Sequence, residues 1–233
     1  MQDLLVFADN YRTWNRGVEY ACELAAASDA NLTAVFVAEP ITPLPSMSLP
    51  AAFPDLYTIT AGILREAREA ETAFAGWASG FGAKRSQWVV AEGYVAAALS
   101  HAANWNDALV LCSGGESPWG MPGPLGQIIL TCGVACFVVP ANWSHKASAR
   151  RIAIAWNGSI EAMRAIHAAL PLLQAAEHVL LIEGKRDETF VTLEWVPAFS
   201  IEGYLARHNV RFKKTMLDGP DEKAGDGILR RAH

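Results

Sequence analysis

A strand, a three-residue turn and a helix follow one another without a gap from Arg150 to Leu173, and the same order of elements stands at the amino terminus. RRIAIAWNGSIEAMRAIHAALPLL opens with an apolar run, Arg151 to Trp156, that carries β-branched Ile152 and Ile154. Asn157, Gly158 and Ser159 then supply a turn and a helix cap. Ala162, Ala165, Ile166, Ala169, Leu170 and Leu173 recur at spacings of three and four, with Glu161, Arg164 and Gln174 off that stripe. The periodicity predicts an amphipathic helix lying on a sheet.

Met1 to Leu24 repeats the pattern: an apolar strand Leu4–Ala8, then Asp9-Asn10, then a helix from Arg16 onward. A repeat of one domain length means two tandem α/β units. A-W-N-G-S followed by an alanine-rich helix ending A-L-P-L-L resembles the first strand and helix of a universal stress protein domain. With its repeat the chain resembles a tandem universal stress protein, with a first unit at residues 1–140, a linker at 141–149 and a second unit at 150–233. The resemblance implies two flavodoxin-like, adenine nucleotide alpha hydrolase-like α/β units. Each is expected to hold a parallel five-stranded sheet ordered 3-2-1-4-5 with right-handed crossovers. The second is expected to be incomplete, without counterparts of strands four and five, their helix and the second phosphate loop.

The totals exclude several classes. Of 233 residues, 52% are apolar and 18% charged, which describes a packed globular protein. A net charge of −5 with no basic run argues against nucleic acid or an anionic membrane as partner. MQDLLVFADN lacks a basic start and a long apolar run, and no later run approaches the roughly 18 to 20 apolar residues of a membrane span. A cytoplasmic location is therefore expected. Cys22, Cys112, Cys132 and Cys136 lie in apolar helix or strand contexts and read as buried thiols rather than disulfides or metal ligands. The eight tryptophans lack interleaved basic residues and read as core and interface anchors.

Along the first unit, a helix is expected near Asn15–Ser28 and a doubly buried strand at Leu32–Ala38. The five prolines of Pro40–Pro54 mark a loop across the ligand edge. One long helix is expected over Tyr57–Phe81, with Ile59, Ile63, Ala67, Ala70, Phe74 and Trp77 on its apolar stripe and Glu66 among the solvent-facing charges. Strands at Ser86–Ala91, Ala108–Cys112 and Cys136–Val139 complete the sheet. In the second unit, strands are expected at His178–Glu183 and Val210–Leu217, with helices around Leu193–His208 and Asp221–Ala232.

The resemblance implies where a nucleotide would lie. Asp9 ends the first strand and stands where the family's aspartate touches the nucleoside. Phe36 and Val37 stand where a strand-edge backbone reads adenine. The phosphates would meet glycine backbone and the start of helix four, because glycine lets oxygen approach and the first helical N–H groups bind anions. Gly120, Gly123 and Gly133 meet the family's spacing literally, yet Gly133 must follow helix four and cannot sit at its start. Placed by the strands, the candidates are Gly114 and Gly115 after strand four, and Gly123 or Gly126 where the helix opens. No Ser or Thr follows that third glycine, Glu116 adds a negative charge, and Pro118, Pro122 and Pro124 each remove a donor. The loop therefore reads as degenerate, and ATP is expected to bind weakly or not at all. In the second unit Asn157, Gly158 and Ser159 are the matching candidates, Asn157 as turn former or acceptor and Ser159 as helix cap.

Three functional classes follow. The first is a universal stress protein that acts in stress response through adenine-nucleotide-type binding and protein association, with ATP or another adenine nucleotide as ligand. The second is a ligand-free scaffold or dimerisation module of the same fold, and the third a nucleotide hydrolase. No nucleophile with its base and no complete phosphate loop is visible, so no catalytic residue is assigned and turnover is not expected. No metal is expected other than magnesium carried by a nucleotide. The apolar strand Arg151–Trp156, short of one neighbour, predicts either a fragment of a longer chain or a homodimer that covers the edge.

Overall fold

Leu4, Leu5, Val6, Phe7 and Ala8 are all buried, and they form the centre of β1 (Asp3–Ala8). A strand apolar on both faces needs cover on both, and the chain supplies it by alternating strand and helix. β1 leads to α1 (Arg16–Ser28), β2 (Asn31–Ala38), α2 (Leu56–Glu69), α3 (Glu71–Gly80) and β3 (Ser86–Glu92). α4 (Val95–Ala103), β4 (Ala108–Ser113), α5 (Pro122–Thr131) and β5 (Ala135–Pro140) follow. The computed structural model describes residues 1–39, 56–114, 122–184, 200–217 and 224–232.

These five strands make one sheet ordered β3-β2-β1-β4-β5, with every pair parallel. One face packs Leu5, Phe7, Val35, Leu109 and Leu111 against Val95 and Leu99 of α4 and Ile128 of α5. The helix ends are set locally. The Asn15 side chain accepts the Val18 N–H at 3.2 Å, and Asp29, at φ 49°, closes α1 as Ala30 N–H reaches back to the Ala25 carbonyl at 2.9 Å. Gly17 is required where α1 crosses β4: a Cβ there would stand 2.8 Å from that of Cys112.

The expected long helix is in fact two. α2 and α3 part at Ala70, and the Trp88 indole N–H donates to the Ala67 carbonyl at 2.7 Å. That carbonyl would otherwise accept the N–H of Glu71, so the indole opens the helical ladder at this turn. The buried stripe then runs through Leu64, Ala67, Phe74 and Ala78, and Ile59 is left exposed. Trp14, Phe74, Trp77 and Trp88 form an aromatic cluster with ring centroids 5.0 to 6.3 Å apart. Trp105, one of the tryptophans expected as core or interface anchors, is 78% exposed.

Residues 141–147 belong to the first of two units, Met1–Ala147, with Ser148–His233 the second. The Arg16 guanidinium donates to the Trp143 carbonyl at 3.0 Å and to that of His145, while Ala147 N–H donates to Glu23 at 2.7 Å. The stretch expected as a linker is thus tied to α1.

The second unit contains β6 (Arg151–Trp156), α6 (Ile160–Ala175), β7 (His178–Glu183), α7 (Ile201–Arg207), β8 (Lys213–Met216) and α8 (Ala224–Ala232). The sheet is parallel and ordered β6-β7-β8. Ile154, Trp156, Val179 and Leu181 pack on Ile166, Leu173, Ile201 and Leu205. The strand expected at Val210–Leu217 contracts to Lys213–Met216. Among the described residues no helix is long and apolar enough to cross a membrane. None of the four cysteines is in a disulfide. Burial, with Glu19 and Glu23 nearby, pushes the Cys22 thiol up to about 12, and burial brings Cys136 to about 11.

Candidate functional site

In a parallel sheet ordered 3-2-1-4-5 the chain turns to one side of β1 first and to the other later. The carboxyl ends of β1 and β4 therefore flank a crevice, the usual ligand position in such sheets. Asp9 follows β1 directly and Gly114 follows β4 directly. β1 pairs with β2 only as far as Ala8 opposite Phe36, while β2 continues along β3 to Ala38 opposite Glu92. Val37 and Ala38 thus follow the last pair with β1; the Ala38 carbonyl accepts the Gly93 N–H at 3.1 Å on the β3 side, and the Val37 carbonyl is the backbone acceptor that faces past the end of β1. Four of the expected residues, Asp9, Phe36, Val37 and Gly114, arrive at one end of one sheet.

Asp9 is half-buried. Burial holds the Cys112 thiol above its usual range, the Asp9 charge adds to this, and the Gly17 N–H opposes it. The loop after Asp9 is fixed by its own side chains. Asn10 Oδ1 accepts the N–H groups of Arg12 at 2.7 Å and Thr13 at 3.2 Å. Tyr11 donates its hydroxyl to Glu66 at 2.9 Å, and Arg12 pairs with the same carboxylate at 2.5 Å. Hydrogen bonds from Arg12 and then Tyr11 hold the Glu66 carboxyl below its ordinary range. The Tyr11 phenol is raised, first by desolvation and then by its bond to Glu66.

The Tyr11 ring meets Phe36 edge-on at 5.2 Å, and Phe36 stacks on Trp88 at 6.4 Å. The Phe36 side chain is committed to packing, and its backbone lies within the ladder to β3. Tyr11, Arg12 and Glu66 were not singled out as a site in the sequence, since Glu66 lies 54 positions from Arg12 and no local spacing links them.

The phosphate end is less well equipped. Gly114 takes φ +89°, which glycine adopts without strain, and is exposed. Gly115 and Glu116 lie outside the described residues. α5 begins at Pro122, so Gly123 is its second residue and Gly126 its fifth. The first-turn N–H groups of a helix are the ones left open to an anion. Pro122 and Pro124 have none, and Gly126 lies beyond that turn, where its N–H belongs to the helical ladder. Gly133, at φ +70°, falls between α5 and β5 and not at a helix start.

In the second unit the turn explains all three candidates. Asn157 Oδ1 accepts the Ser159 N–H at 3.0 Å, Gly158 takes φ +85°, and Ser159 Oγ caps α6 by accepting the Ala162 N–H at 3.1 Å. Only residues 157–159 separate β6 from α6, whereas residues 9–15 separate β1 from α1. The longer connection gives the first unit its Tyr11-Arg12 cluster, and the short one leaves the second unit a bare helix cap. Among the described residues no three His, Cys, Asp or Glu side chains gather as metal ligands.

No family model matches this chain, and no curated protein matches it in sequence. Solved structures do. A universal stress protein from Archaeoglobus fulgidus aligns over 97% of this chain and 80% of its own, at 14% identity and a TM-score of 0.64. The universal stress protein UspA from Lactobacillus plantarum aligns over 59% of this chain and 97% of its own, at 18% identity and a TM-score of 0.47. A universal stress protein solved in complex with cAMP aligns over 60% of this chain and 98% of its own, at 20% identity and a TM-score of 0.39. With the strand order, the parallel pairing and the near-complete alignment to the Archaeoglobus protein, the fold of this chain is that of the universal stress proteins.

Proposed function

We propose that the carboxyl end of the first sheet binds the adenosine part of an adenine nucleotide, with little hold on its phosphates, and that the protein acts in stress response through binding and association rather than turnover. The observation that carries this reading is the convergence of Asp9 with the strand backbone of Val37, which extends beyond β1. Asp9 offers carboxylate oxygens to ribose hydroxyls. The Val37 carbonyl, past the last pair with β1, offers an acceptor to a base edge. Gly114 and the Gly123 N–H are the described groups on the phosphate side, and the prolines at 122 and 124 leave α5 short of donors for a triphosphate. That shortage favours the ligand-free scaffold as the second reading. Magnesium would enter only with the nucleotide.

A ligand that binds only the folded state raises Tm according to its excess over Kd. AMP, ADP and ATP at millimolar concentration, with and without magnesium, should therefore give equal and small shifts. Asp9→Ala should abolish them. A shift of several degrees with ATP and not with AMP would contradict the weak phosphate hold, and no shift with any nucleotide would leave the scaffold reading. A homodimer belongs to the same proposal. β6 pairs with β7 alone among the described residues, whereas β1 pairs on both sides, and an open strand edge is a template for association. Light scattering at high micromolar concentration checks it, a monomer being the contrary result.

A further inference from the structure

The cations of the second unit fall into two sets. Arg150 pairs with Glu177 at 2.6 Å, and Lys214 pairs with both Glu183 and Glu202. The side chains of Arg151, Arg211 and Lys213 make no ion pair or hydrogen bond among the described residues. These three, with His178 and Arg231, line a cleft of about 810 Å³. Arg151, His178 and Lys213 are the first residues of β6, β7 and β8, so the cleft lies at the amino ends of the strands, opposite to Asn157.

The arrangement is not accounted for by the fold. Arg231 sits in the last turn of α8, where a cation offsets the helix dipole. Arg151 and Lys213 are on strands and Arg211 on a connection, so no helix end accounts for them. Glu177, the one carboxylate among the described residues that line the cleft, is already engaged by Arg150. Like charges gathered in a concavity repel one another and focus a positive potential into it. The apolar residues Ile152, Val179 and Phe212 also line the cleft, between the charged groups.

We propose that this cleft is a ligand site for a small organic anion carrying at least two phosphate groups, its body resting on the apolar lining. Guanidinium forks hold phosphate oxygens in pairs, and Arg151 and Arg211 supply two of them beside the Lys213 ammonium. The volume falls within the roughly 300–1,000 Å³ of small-molecule sites, which favours a compact ligand over a polymer. The site shares no residue with the crevice at Asp9.

Isothermal titration of the full chain with tripolyphosphate and pyrophosphate tests it, with inorganic phosphate as the single-group reference. Tripolyphosphate should bind at least about tenfold tighter than phosphate, and Arg211→Gln with Lys213→Gln should weaken it by about tenfold or more. Asp9→Ala should leave it unchanged. Both replaced side chains are exposed, and if circular dichroism nevertheless shows misfolding, Arg151→Gln alone should still weaken binding. The proposal fails if millimolar tripolyphosphate gives no binding, if these variants bind as the parent does, or if Asp9→Ala removes binding. It also fails if a short single-stranded oligonucleotide binds tighter and tripolyphosphate does not displace it, which would make the cleft part of a nucleic-acid surface.

Discussion

β1 and β6 are the same element of two repeated units, and they are buried differently. β1 has five consecutive buried residues and a strand on each side. β6 alternates: Ile154 and Trp156 are buried, while Arg151, Ala153 and Ala155 are exposed, and only β7 pairs with it among the described residues. Counted back from Asp9 and Asn157, Leu5 and Phe7 stand where Ala153 and Ala155 stand. The difference teaches that a run of apolar letters has two meanings. Large side chains at every position demand cover on both faces, whereas large side chains alternating with alanine demand it on one.

The largest expected effect tests that contrast directly. Leu5→Ala should cost about 2–5 kcal/mol of unfolding free energy in urea titration, as full burial in a packed core requires. Ala155→Ser should stay within about 0.5 kcal/mol. A large cost at Ala155 would break the comparison by showing that another surface covers this face in solution.

A smaller effect separates the two connections. Ser159→Ala should lose about 1 kcal/mol through the N-cap of α6, as Asn15→Ala should through α1. The same thermal melts with AMP sharpen the point. Ser159→Ala should leave any nucleotide response intact, because the second unit's turn is read here as a cap and not as a binding loop.

The smallest effect concerns how the first strand of each unit is anchored. Asp107 accepts the N–H groups of Gln2 at 2.5 Å and Asp3 at 3.2 Å, and these bonds hold its carboxyl below the ordinary range. A depressed carboxylate adds stability above the unfolded-state value, about 4, and loses it as pH falls through the folded-state value. Asp107→Ala should therefore lower Tm at pH 7, with the gap to the parent narrowing below about pH 4. A gap that does not change with pH would mean that the carboxylate charge plays no part. β6 has instead the exposed Arg150–Glu177 pair, a type of contact that contributes little.

Part of the candidate site was legible in the sequence, and part was not. Asp9 and Gly114 could be placed from sequence because each directly follows a strand, and strand ends are visible as the limits of apolar runs, whereas Val37 came from the family resemblance. The Tyr11-Arg12-Glu66 cluster could not, since it joins a loop to a helix far along the chain. The break at Ala70 was hidden for the same reason: its cause is the indole of Trp88, 21 residues from the carbonyl it takes. Gly126 was placed too near the helix start because Pro122 and Pro124, poor residues inside a helix, fit its first turn.

The sheet order was implied by the family resemblance, while the sequence by itself determined the alternation of strand and helix, the repeat and the cap at Ser159. Each is written in local spacing and side-chain chemistry, and local interactions are the ones a linear pattern can encode. Tertiary structure alone decided the split of α2 from α3 and the binding of residues 141–147 to α1. It also decided the gathering of Arg151, Arg211, Lys213 and Arg231 around one cleft. These depend on distances between residues remote in the chain, and only the packed fold sets those distances.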